Sequence, residues 1–173
     1  MTTILSLDLG TQTGWAVLKK EHITSGTISF KNDRYHGGGM RYLLFSRWLD
    51  HIESLCNRSI TAVYFEEVRR HLGVDAAHAY GGFLATLTAW CEQRNIPYQG
   101  VSVGTIKHHV TGKGNATKEA VMDAMRKKGY TLLQDDNEAD ALALLEWARD
   151  HHNRILGFQP ETIYSSQTQE INL

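Results

Sequence analysis

Two cysteines, two prolines and no apolar run of membrane-spanning length set the first limits on this 173-residue chain. Cys56 and Cys91 stand far apart, each inside an apolar-periodic segment. They read as buried thiols in a reducing compartment, not as a disulfide or a zinc pair. The lack of a bilayer-length apolar stretch argues against a membrane partner. The opening MTTILSLDLG is strand-like and has no basic leader region, so no signal peptide is expected and the location is expected to be cytoplasmic. Repeats and interdomain linkers are also missing. What is present, 42% hydrophobic and 21% charged residues, suits one domain with a sizeable core.

A net charge of −1 does not advertise nucleic-acid binding, but the charge is unevenly spread. Between Thr105 and Lys128 six basic residues (Lys107, Lys113, Lys118, Arg126, Lys127, Lys128) face two acids, a local net of +4. Such a patch is either a footprint for phosphate or a solvated helix face. Taken alone it reads as the latter.

Periodicity and turn residues predict strands over 3–9, 15–19 and 23–30, a helix over 40–56, and a strand over 61–66. A loop follows over 68–74, then a helix over 76–93 with Asp75 as its cap, a strand over 97–103 and a short helix over 105–110. Thr117 is expected to cap a helix over 118–128 that stops at Gly129. Asp135 and Glu138 have the spacing of a capping box opening a last helix to about His152. This order predicts an α/β fold: a mixed five-stranded sheet in which a three-strand meander is joined to parallel strands and flanked by helices. Residues 1–155 form the expected domain and 156–173 a C-terminal extension.

The acids carry the chemistry. Asp8 ends the first strand in ILSLDLGTQTGWAV, and Glu66 and Glu67 end the fourth. If these strands are parallel neighbours, their C-terminal ends meet where open α/β sheets place their sites. Asp136, Asn137 and Asp140 lie on the last helix at spacings that allow a shared face, with Asp140 on the stripe of Ala143, Leu144 and Trp147. Singly, Asp8 reads equally well as a turn acid bonded to the Gly10–Thr11 amides, and the glutamates as surface acids. Asp135 and Asp136 are explained by helix capping and the helix dipole. Together, acids from three elements in apolar settings point to a hard divalent cation. Two such ions about 4 Å apart would suit phosphodiester hydrolysis.

LSLDLGTQTGWAV, YFEEV, SVGTIKHHVTGKGNATKEAV and NEADALALL resemble, in order and spacing, the RuvC family of Holliday-junction resolvases. The likeness runs from Thr3 to about Trp147, and the compact size is similar to that of phage-encoded members. It implies a ribonuclease H-like nuclease fold and a homodimer cutting branched DNA, four-way junctions above all. It further implies two Mg²⁺ or Mn²⁺ ions per site and products with 5′-phosphate and 3′-hydroxyl ends. Asp8, Glu66 and Asp140 match the family's metal-binding acids. The remaining helix ligand falls on Asn137, where members have Asp or His, and Asp136 is the alternative. Lys107 and Lys118 match lysines near the scissile phosphate. The family's junction-wedging aromatic is replaced by Arg69-Arg70-His71-Leu72, so Arg69, Arg70 and His71, with Lys113 of the basic patch, are the expected DNA contacts. Small residues at Ala76, Ala77, Ala79, Gly81 and Gly82 fit either a subunit contact or packing within the domain.

Two alternatives stay open. A catalytically weak branched-DNA-binding module would explain Asn137. DLGTQTG also resembles the first phosphate motif of actin-like and sugar-kinase ATPases, but the chain has neither a second phosphate loop nor room for a second lobe.

Overall fold

The computed structural model describes residues 2–69 and 73–155. Five strands form one sheet: β1 (Thr3–Asp8), β2 (Gln12–Lys19), β3 (His22–Ser29), β4 (Ala62–Glu67) and β5 (Tyr98–Ser102). The five helices are α1 (Met40–Leu55), α2 (Val74–Glu92), α3 (Val103–Thr111), α4 (Lys118–Lys127) and α5 (Asp136–Ile155). The strand order is β3-β2-β1-β4-β5. β1, β2 and β3 are antiparallel neighbours, whereas β4 runs parallel to β1 and β5 parallel to β4. The mixed sheet therefore has the predicted order of elements. Lys20 and Glu21, at φ 50° and 67°, form the tight turn between β2 and β3, the left-handed geometry that suits a two-residue hairpin.

Both faces of the sheet are covered, because β1 and β4 are apolar on both sides of their pleat. Leu5, Leu7, Val63 and Phe65 pack with Phe45 and Leu49 of α1 and Phe83 and Leu87 of α2. Ile4, Ala16, Ala62 and Tyr64 pack on the opposite face with Leu142, Leu144 and Leu145 of α5 and Val121 and Met125 of α4. α5 is thus the central helix of that second layer, and its first turn reaches the C-terminal end of β1.

Three devices fix the start of α5. Asp135 accepts the Glu138 amide (2.9 Å) and the Thr27 hydroxyl (2.6 Å). The Glu138 carboxylate accepts the Gln134 amide (2.7 Å) and the Ser25 hydroxyl (2.6 Å). The predicted capping box is present, with its return bond going to Gln134. Gly14 of β2 supplies the third: a Cβ there would lie 1.9 Å from the Asn137 carbonyl oxygen. Only a residue with no side chain lets α5 descend this close to the sheet.

Several boundaries differ from expectation. α2 begins at Val74 with Gly73 as its N-cap, and Asp75 lies inside the first turn. Asp75 therefore favours the helix dipole rather than capping it. Val103 belongs to α3, because Ser102 caps that helix by accepting the Thr105 amide. Thr117 does cap α4, and Gly129 follows its end at φ 105°. Gly82 is explained within the domain, since a Cβ there would lie 2.3 Å from the Tyr42 ring of α1. Arg70, His71, Leu72 and the extension 156–173 lie outside the described residues.

Candidate functional site

Strand parity selects the acids. Ile4, Ser6 and Asp8 alternate on one face of β1, and Ala62, Tyr64 and Glu66 on the same face of β4. That face is covered by α5. Leu7 pairs with Phe65, so the next residues along the two parallel strands are Asp8 and Glu66. Ser6 donates its hydroxyl to the Ala141 carbonyl (2.8 Å), which pins α5 to β1 one pleat before Asp8. Asp140 stands immediately before Ala141. Glu67 has the opposite parity and pairs with Arg69 at 3.0 Å. The structure thus brings Asp8, Glu66 and Asp140 to one place and sends Glu67 elsewhere.

The electrostatics of the three acids agree. Burial, then the charges of Glu66 and Asp140, hold the Asp8 carboxyl well above the usual range for an aspartate. Burial and the charge of Asp140 push Glu66 up to about 7. Burial also raises Asp140. Carboxylates that oppose one another's ionisation need positive charge close by.

Two lysines supply part of it. Lys107 of α3 opposes the shifts at Glu66 and Asp140, and its ammonium donates to the Ala116 carbonyl at 2.8 Å. Lys118, the first residue of α4, opposes the shifts at Asp8, Glu66 and Asp140 and forms an ion pair with Asp136. That bond holds Asp136 below its ordinary value. Asp136 and Asn137 both lie in the first turn of α5, and the Asn137 backbone is the part pressed against Gly14.

The remaining expected DNA contacts divide. Lys113 lines an open cleft of about 730 Å³ between α3 and α4, together with Lys127 and Lys128. Arg69 is exposed beside β4 and engaged by Glu67. Arg70 and His71 are outside the described residues. Lys107, Lys118 and Lys113 therefore lie on the α3–α4 side of the acids, and Arg69 follows the end of β4.

The turn after Asp8 is closed by Thr13. Its hydroxyl donates to the Gly10 carbonyl (2.7 Å), and the Gly10 amide donates back to it (3.4 Å). The Gly10 amide is thus committed to Thr13 and not to Asp8, which weakens the reading of Asp8 as a turn acid. Sequence reasoning missed Tyr80 of α2. Its hydroxyl donates to the Glu66 carbonyl (2.9 Å) and accepts the Val68 amide (3.2 Å), clamping the strand end that carries Glu66. Its sequence signal was only a place on the α2 stripe with Phe83, Leu87 and Trp90.

Among the described residues, no three His, Cys, Asp or Glu side chains form a ready-made metal cage. Carboxylates that repel one another do not close into a cage by themselves. Their all-oxygen character fits a hard cation such as Mg²⁺ or Mn²⁺ rather than zinc.

No family model matches the chain. It is 27% identical over 141 residues, 76% of its length, to the crossover junction endodeoxyribonuclease RuvC of Rickettsia prowazekii (strain Madrid E), covering 85% of that protein. RuvC of Thermus thermophilus in complex with a Holliday junction substrate superposes with a TM-score of 0.72 at 19% identity, over 87% of this chain and 97% of that one. The yeast mitochondrial Holliday junction resolvase superposes with a TM-score of 0.59 at 12% identity, over 90% and 82%. The strand order, the two covered faces and these superpositions together identify the fold as the ribonuclease H-like architecture of the RuvC-type resolvases.

Proposed function

We propose that the chain is a divalent-metal-dependent endonuclease of branched DNA, with four-way junctions as its main substrate. The observation that carries this reading is the convergence of Asp8, Glu66 and Asp140, three carboxylates from three elements, on one face of a resolvase-type sheet. A satisfied structural acid explains any one of them, but not three buried together, with Asp140 raising Glu66 and both raising Asp8.

Asp8, Glu66 and Asp140 would hold the cations, with Asp136 or Asn137 completing the set. Two bound Mg²⁺ or Mn²⁺ ions would supply an activated water and stabilise the leaving oxygen of a phosphodiester. Lys107 and Lys118 would place positive charge beside the phosphate as charge develops on it. Lys118, at the start of α4, also brings helix amides towards an anion. Lys113 and the Arg69–His71 segment would hold the arms of the substrate through backbone phosphates. A homodimer would present two such sites to the two equivalent strands of a junction. The likeness to junction resolvases in sequence and fold supports this choice of substrate.

Asp8→Asn tests the reading. Cleavage of a synthetic junction should fall to background, while gel-shift affinity for the same junction stays within about threefold, because phosphate contacts supply most of the affinity. Retained cleavage by the variant would remove Asp8 from the chemistry. A branched-DNA-binding module without nuclease activity would bind the junction equally well before and after the substitution and cut it in neither case.

A further inference from the structure

Lys107 and Lys118 both face the carboxylates, but they are held differently. The Lys107 ammonium donates to the Ala116 carbonyl and ties α3 to the turn before α4. Among the described residues, Lys118 is bound by an ion pair to Asp136, with their side chains 65% and 35% exposed. A pair open to water is weak and exchanges its partners readily. That pair places the ammonium one turn of α5 from Asp140, which meets Asp8 and Glu66 at the ends of β1 and β4. One exposed cation is therefore posted beside carboxylates from three elements, on the first residue of a helix, where a short swing takes it into solvent.

We propose that Lys118 is the resident counter-ion of this site: its ammonium competes with the divalent cation for the carboxylates and leaves Asp136 for a DNA phosphate when substrate binds. The inference rests on the nuclease reading and adds a coupling to it. A phosphate that draws Lys118 away relieves the competition, so DNA strengthens metal binding. By thermodynamic reciprocity, metal strengthens DNA binding to the same degree. Lys107, held by a backbone carbonyl, does not take part in the exchange.

The test is calorimetric titration of the full chain with Mn²⁺ in the absence of DNA, for the wild type, Lys118→Met and Lys118→Arg. Lys118 is exposed and terminal in its helix, so neither substitution removes core packing. Lys118→Met should bind Mn²⁺ on the order of tenfold more tightly, the scale of one screened unit charge against a divalent ion. Lys118→Arg should match the wild type, a rescue that a packing role would not predict. If the wild type binds Mn²⁺ and Lys118→Met binds it equally or less well, the counter-ion role is overturned and the nuclease reading stands. If none of the three proteins binds Mn²⁺, both fall. The exchange itself is read from junction binding with and without Ca²⁺. Ca²⁺ should tighten wild-type binding several-fold more than that of Lys118→Met, and equal tightening contradicts the exchange.

Discussion

Burial and the charge of Asp140 push Glu66 up to about 7, against an ordinary value of 4.5. The folded protein therefore holds this proton more tightly than the unfolded chain does. The associated stability is fully present below about 4.5 and is lost as pH rises through about 7. Asp8 and Asp140 shift in the same direction. In EDTA, the melting temperature should accordingly fall between about pH 4.5 and 7, and Glu66→Gln should flatten that slope. A melting temperature that rises over the same interval contradicts the electrostatics of the site. Glu146 behaves in the opposite sense: burial alone would raise it, but bonds from Lys128 (2.7 Å) and Tyr130 (2.7 Å) and the charge of Arg149 bring it below its ordinary value. Glu146→Gln should cost about 1–3 kcal/mol in denaturant unfolding, because it strips a charged acceptor from three donors. Asp8 and Asp140 were legible as candidates because each is an acid in an apolar run. Glu146 was not, because its partners Lys128 and Tyr130 come from another part of the chain and are joined to it only by the fold.

At the scale of elements, the site depends on how closely α5 approaches the sheet. Gly14 permits that approach, and a Cβ there would collide with the Asn137 backbone at 1.9 Å. Neither atom set belongs to a flexible side chain, so the first turn of α5 has to move. Gly14→Ala should cost about 1–3 kcal/mol or more by chemical denaturation. It should also abolish cleavage, because Asp140 rides on the displaced helix. A variant that folds with wild-type stability and activity would mean that α5 does not seat as described. The choice of Glu66 over Glu67 is also an element-scale fact. β4 is buried on both faces, so its sequence lacks the apolar–polar alternation that reveals which side points where. Parity became readable only once Tyr64 was seen against α5 and Phe65 against α1 and α2. The start of α2 was misread for a related reason: Asp75 looks like a cap, but Gly73 in an extended conformation already ends the loop.

On the scale of the whole molecule, a near-neutral chain brings two lysines from separate helices beside its buried acids. Lys107 on α3 and Lys118 on α4 act on the acids at the ends of β1 and β4, and Lys113 lies on the turn after α3 in the cleft between the two helices. A three-strand meander joined to parallel strands and flanked by helices was readable from the succession of strand and helix patterns, whereas the placing of β4 beside β1 was not. The fold of junction resolvases confirms that outline. The pinning of α5 by Ser6, Ser25 and Thr27 was not readable, since hydroxyls in strands give no sign of a partner more than a hundred residues away. The most direct test of the central claim is end-labelled cleavage of an immobile four-way junction beside linear duplex and single strand of the same sequence, with Mg²⁺, with Mn²⁺ and with EDTA. Paired nicks on opposite strands of the junction alone, dependent on the metal and lost in Asp8→Asn, are the predicted result. Three intact DNAs in every metal, or cutting that persists in EDTA, would contradict it.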